Sequence, residues 1–72
     1  MQNIQLNTVE YYDGVEQDRL IGAVYVPEAS AIFCAQSIGQ TILRVLGGNT
    51  LRAVLLDAEG APFDELTVHR KR

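Results

Sequence analysis

The stretch PEASAIFCAQSIGQTILRVLGG, residues 27–48, decides how the chain is organised. Pro27 has no N–H to give a strand ladder, and its fixed φ suits the first turn of a helix. Glu28 follows at the positive end of the helix dipole, and Arg44 lies near the negative end. At about 100° per residue, Ala31, Ile32, Cys34, Ala35, Ile38, Ile42, Leu43, Val45 and Leu46 fall on one half of the wheel. Ser30, Gln36, Ser37, Gln40, Thr41 and Arg44 fall on the other. Gly47-Gly48 is a natural C-terminal stop. An amphipathic helix is therefore predicted over residues 28–46. Gly39 lies within its apolar stripe. There the missing side chain would let the helix backbone approach a sheet closely, offsetting a propensity cost of about 1 kcal/mol.

On either side of this stretch the hydrophobic period falls to two. Residues 3–26 read as two strands joined at Asp13-Gly14, a strong hairpin signal because a type I′ turn needs positive φ at both central residues. Taking those two as the loop pairs Leu6 with Ile21 and Ile4 with Ala23, which share one face. Val9, Tyr11, Leu20, Val24 and Val26 then share the other. A looser loop over residues 13–18 would shift this register. Residues 50–57 and 62–70 read as a second strand pair around a turn at 58–61. With Glu59-Gly60 as the loop, Leu51, Ala53, Leu66 and Val68 share a face, and Val54, Leu56 and Phe63 lie opposite with Arg52, Glu65 and Thr67. The expected fold is α+β, a single domain over residues 1–72 with the order ββαββ. Its antiparallel four-stranded sheet packs on one amphipathic helix.

Composition agrees with a folded chain. Of 72 residues, 47% are apolar and 21% charged, and the net charge is only −3, whereas disorder needs few apolar residues and a large charge. A chain this short buries only about 60% of its unfolded surface, so its core is thin. Three of the six cations, Arg70, Lys71 and Arg72, stand together at the end, leaving the rest distinctly acidic. Such a balance offers no general attraction to a phosphate backbone. One cysteine allows no internal disulfide, the first residues have no signal-peptide pattern, and no stretch is expected to reach the length of a membrane span. The expected location is cytoplasmic.

Residues able to carry chemistry are few. Cys34 sits on the apolar stripe and reads as a buried, inert thiol, and no base or orienting group can be assigned to it. Asp13, Glu16 and Asp18 are close together but lack the ligand pattern of a calcium loop. His69 has no Cys/His cluster around it for zinc. Gly47-Gly48-Asn49 follows a helix rather than opening one, so it is not a phosphate loop. Asp64 and Glu65 are adjacent in a strand and point to opposite faces. Catalytic, metal and cofactor residues are expected to be none. Tyr11, Tyr12 and Tyr25 all lie in the first strand pair, which makes that pair the candidate recognition surface, since tyrosine presents an apolar body and a polar tip.

The fragments Val45-Leu46-Gly47, Gly48-Asn49-Thr50-Leu51-Arg52, Ala61-Pro62 and Val68-His69-Arg70 are similar, in order, to pieces of the small RNA-binding carbon storage regulator family. The resemblance covers less than half the chain and implies an RNA contact for Arg70. The spacing between the Gly-Asn and Val-His-Arg pieces is longer here, and the basic first strand of that family has no counterpart.

Three functions follow in order. The first is a non-enzymatic binding or regulatory protein acting by protein–protein contact as a homodimer. Its interface would be Val54, Leu56, Phe63, Leu20 and Val24, since one helix covers only one face of the sheet and both faces are apolar. Its partners would be a second copy and another protein, and a phage or mobile-element product that blocks a host factor belongs to this class. The second is an RNA-binding translational regulator using Arg70, Lys71 and Arg72. The third, an enzyme, has no nucleophile–base pair or metal cluster behind it.

Overall fold

A computed structural model describes residues 4–16 and 18–71. Four strands, β1 (Leu6–Asp13), β2 (Leu20–Pro27), β3 (Thr50–Leu56) and β4 (Pro62–His69), form one antiparallel sheet in the order β2-β1-β3-β4. Between β2 and β3 come one 3₁₀ turn, Glu28–Ser30, and the helix α1, Ala31–Leu46. Both β2 and β3 are antiparallel to β1, so they run parallel to each other and need a crossover. The helix supplies it. The ββαββ fold predicted from the periodicities is the observed one.

The core lies between α1 and one face of the sheet. Val9 and Tyr11 of β1, Val26 of β2, Leu51, Ala53 and Leu55 of β3 and Val68 of β4 are buried there. From the helix, Ala31, Ala35, Gly39 and Leu43 are buried, a stripe of mostly small residues four apart that brings the helix close to the strands. A Cβ on Gly39 would stand 2.8 Å from Val68 Cγ2, which is the close approach expected of that glycine. Cys34, Ile38 and Ile42 flank the stripe, packed against the core and half-buried. Ile32, Val45 and Leu46, placed on the apolar half by the wheel, are exposed instead. Because the closest line of approach is so narrow, residues at its margins reach past the sheet. Gly47 ends the helix at φ +78°, its N–H donating to Leu43 O at 2.7 Å.

The stretch Glu28–Leu46 is 19 residues and contains an 18-residue window of mean hydropathy 1.2, long and apolar enough by length and composition to cross a membrane. This corrects the expectation that no stretch reaches that length. In this fold its inner stripe closes the core.

The two hairpins differ in how they follow expectation. In the second, Leu51 faces Val68 and Ala53 faces Leu66, the predicted register. The register then shifts between Leu55 and Leu56, so that Leu55 faces Asp64 but Leu56 faces Pro62. Phe63 is the extra residue of this bulge. In the first hairpin the register is Leu6 with Pro27, Val9 with Val24 and Tyr11 with Gly22, not Leu6 with Ile21. β1 runs through Asp13 and β2 begins at Leu20, so the loop is residues 14–19. It is longer than Asp13-Gly14 and displaced by one residue from the alternative of 13–18, with a bulge between Tyr11 and Tyr12. Asp13 Oδ1 accepts hydrogen bonds from the N–H groups of Val15 and Glu16 at 2.7 and 3.0 Å, which folds the chain back. Those donors hold the Asp13 carboxyl below its usual range. Positive φ among the described residues occurs only at Gly47 and Gly60, so Gly14 is not a type I′ residue. A side chain at Gly14 would collide with Thr50 Oγ1 and its carbonyl, so glycine serves there to let β3 pass.

Candidate functional site

No described residue covers the face of the sheet turned away from α1. Cross-strand pairs set it out in rows, read from β2 to β4. Tyr25, Thr8, Leu56 and Pro62 form one row. Ala23, Glu10, Val54 and Glu65 form the next, and Leu20, Tyr12, Arg52 and Thr67 the third. Leu6 and Pro27 extend the face beyond the first row. Leu6, Leu20 and Tyr25 are exposed, while Tyr12, Val54 and Leu56 are half-buried by their neighbours.

The charged side chains on this face are hydrogen-bonded within it. Arg52 Nη1 donates to Glu65 Oε1 at 3.0 Å, and its guanidinium carbon lies 4.6 Å from the centre of the Tyr12 ring. The Tyr12 hydroxyl donates to Glu10 Oε1 at 2.9 Å. Donation to that carboxylate holds the Tyr12 phenol above its ordinary pKa. Glu10, Tyr12, Arg52 and Glu65 thus make a continuous polar chain across three strands, bordered by apolar residues.

The interface residues expected from the sequence divide. Val54, Leu56 and Leu20 lie on the open face. Val24 does not: it faces Val9 and packs on the core, because the first hairpin has the longer loop. Phe63 does not either, because the bulge turns it into a groove beside α1. The tyrosines divide likewise. Tyr12 and Tyr25 are on the open face, but Tyr11 is wholly buried under the helix, its hydroxyl donating to Ala35 O at 2.7 Å. Burial pushes its pKa up to about 12, with a smaller contribution from the nearby Cys34 thiol. Cys34 itself is half-buried, its sulfur 3.6 Å from Ser30 Oγ.

The basic tip is fastened to the fold. Arg70 N–H donates to Asn49 O at 2.8 Å, so the Gly-Asn and Val-His-Arg fragments meet in space. Lys71 N–H donates to Gln40 Oε1 at 3.0 Å, and Gln40 Nε2 donates in return to His69 O. Arg72 lies outside the described residues. Among the described residues no three of His, Cys, Asp and Glu are grouped so as to hold a metal.

A groove of about 680 Å³ was missed by the sequence reading. It lies where the start of α1 passes the end of β3, with the exposed rings of Phe33 and Phe63 and the side chain of Ile32 on its walls. Glu28, Asp57 and Glu59 line it, and among the described residues no Lys, Arg or His does. Asn7 also lines it. This residue is only 6% exposed, and its Oδ1 has no hydrogen-bond partner among the described residues. The available signal was the alternation Asn7-Val9-Tyr11, in which one polar residue occupies a core position. Comparison of the chain with protein-family models, with curated proteins and with solved structures gave no match.

Proposed function

We propose that this chain is a non-enzymatic, cytoplasmic protein-binding module that pairs with a second copy of itself through the open face of its sheet. The observation that carries this reading is the apolar surface of Leu6, Leu20, Tyr25, Val54 and Leu56 with no described residue over it. The molecule is 15 Å across its shortest axis, room for a sheet and one helix and no further layer. Exposed apolar patches of this kind mark association surfaces. A twofold pair sets each surface against itself, so like charges would meet unless they were already neutralised. The Arg52–Glu65 ion pair neutralises two of the three charges on the face inside each copy, and the third, Glu10, accepts a hydrogen bond from the Tyr12 hydroxyl. The same face, once paired, leaves the helix side free for a different protein.

Light scattering behind a sizing column at micromolar concentration tests the reading. The expected result is a dimer, reduced to a monomer by Leu56→Lys and unaffected by Gln36→Lys on the outer side of α1. A monomeric native chain overturns the proposal. A dimer indifferent to Leu56→Lys overturns the surface.

A further inference from the structure

We infer that the groove beside the start of α1 is a binding site for a small organic cation, a primary ammonium or guanidinium carried on an apolar, ring-sized body. Two independent features meet there. The first is Asn7, a groove-lining residue whose amide oxygen is buried and unpartnered although the next positions of its alternation, Val9 and Tyr11, are filled by core side chains. Polar groups in that condition are uncommon in folded proteins, because desolvation without a hydrogen bond destabilises the fold. An amide oxygen accepts and cannot donate, so the missing partner is a donor. The second is the lining. The carboxylates of Glu28, Asp57 and Glu59 give the groove one sign of charge, with no basic residue among the described residues lining it to balance them. Phe33 and Phe63, 75% and 53% exposed, offer ring faces to an apolar body.

An ammonium or guanidinium meets both conditions. It donates to Asn7 Oδ1, is drawn by the carboxylates, and is also attracted to the faces of the aromatic rings. The opening turns of a helix favour anions, but that fractional charge is opposed here by three full negative ones. A volume of about 680 Å³ lies within the range of small-molecule sites. The groove is on the helix side of the sheet, so occupation does not compete with pairing through the open face.

The test titrates the ¹⁵N-labelled chain with 2-phenylethylamine, followed through its amide resonances. Neutral 2-phenylethanol and the dipeptide amide acetyl-Arg-Phe-NH₂ serve as comparison probes. The expected result is saturable movement of the Asn7 side-chain amide and of residues 28–33 with the amine. Affinity for the alcohol should be at least about tenfold weaker, and added salt should weaken only the amine. Asn7→Leu should abolish amine binding and raise the melting temperature, since it removes the orphaned oxygen at similar volume. A lowered melting temperature for that variant would make Asn7 a structural residue and overturn its role. Should Asn7→Leu not fold, Phe33→Ala and Glu28→Gln, both at exposed positions, should each weaken the amine several-fold. Equal affinity for amine and alcohol, or no movement at millimolar probe, overturns the inference. Binding of the dipeptide alone overturns the small-molecule class in favour of a protein side chain.

Discussion

The phenol of Tyr11 is held inside the core with its hydroxyl on Ala35 O, and the energetic consequence is specific. In the unfolded chain the group ionises near pH 10; in the fold it keeps its proton to about 12. Between those values the unfolded state releases a proton that the folded state retains. Stability contributed by this group is therefore complete below pH 10 and lost as pH rises toward 12. Tyr11→Phe should cost about 0.5–1.5 kcal/mol at neutral pH and should flatten this alkaline loss, as measured by urea unfolding across pH 8–12. An unchanged alkaline slope in the variant would place the loss at other groups. Sequence alone could group the three tyrosines in one hairpin but not separate them. Strand alternation puts Tyr11 and Tyr12 on opposite faces, and which face the helix covers depends on the register, which the turn conceals.

At the scale of elements, the same dipeptide logic succeeded at one hairpin and misled at the other. Gly60 has φ +83°, and Asp57 Oδ1 accepts from the N–H groups of Glu59 and Ala61, so the second turn is local and readable. Gly14 is required by Thr50, a residue thirty-six positions away, and no local pattern could show that. The helix was legible from its period and its glycine stop, while its exposed margins were not, because they depend on how narrowly it seats on the sheet. Gly39 is where that seating is decided. Alanine there gains about 1 kcal/mol of helix propensity but sets a Cβ 2.8 Å from Val68 Cγ2 and 3.0 Å from Cγ1. Val68 is buried and stiff at χ1, so it cannot swing away. Overpacking of this order costs about 1–3 kcal/mol, so a net loss of up to about 2 kcal/mol is expected for Gly39→Ala. The double variant with Val68→Ala should be less destabilised than the sum of the two singles. Strict additivity would mean that the helix does not rest on Val68.

For the molecule as a whole, the sheet-plus-helix architecture was readable from sequence, whereas the groove was not, since it arises from a bulge at Phe63 and a chain crossing between distant residues. The C-terminal basic tip shows how charge and fold combine at this scale. The main-chain N–H groups of Arg70 and Lys71 donate to Asn49 O and to the Gln40 side-chain Oε1, tying the end of β4 to the start of β3 and to α1. These bonds are exposed, so their worth is at the lower end of the usual range. Removing residues 70–72 should cost about 1 kcal/mol through them. It also deletes three cations and takes the formal charge from −3 to −6, which adds self-repulsion. That repulsive share is screened by salt, so the truncated chain should regain part of its loss between about 0.01 and 0.5 M salt, while the hydrogen-bond share persists. Thermal unfolding of both chains across that range separates the two shares. A truncation without effect on stability that instead removes a salt-dependent affinity for single-stranded RNA would assign the tip to nucleic acid.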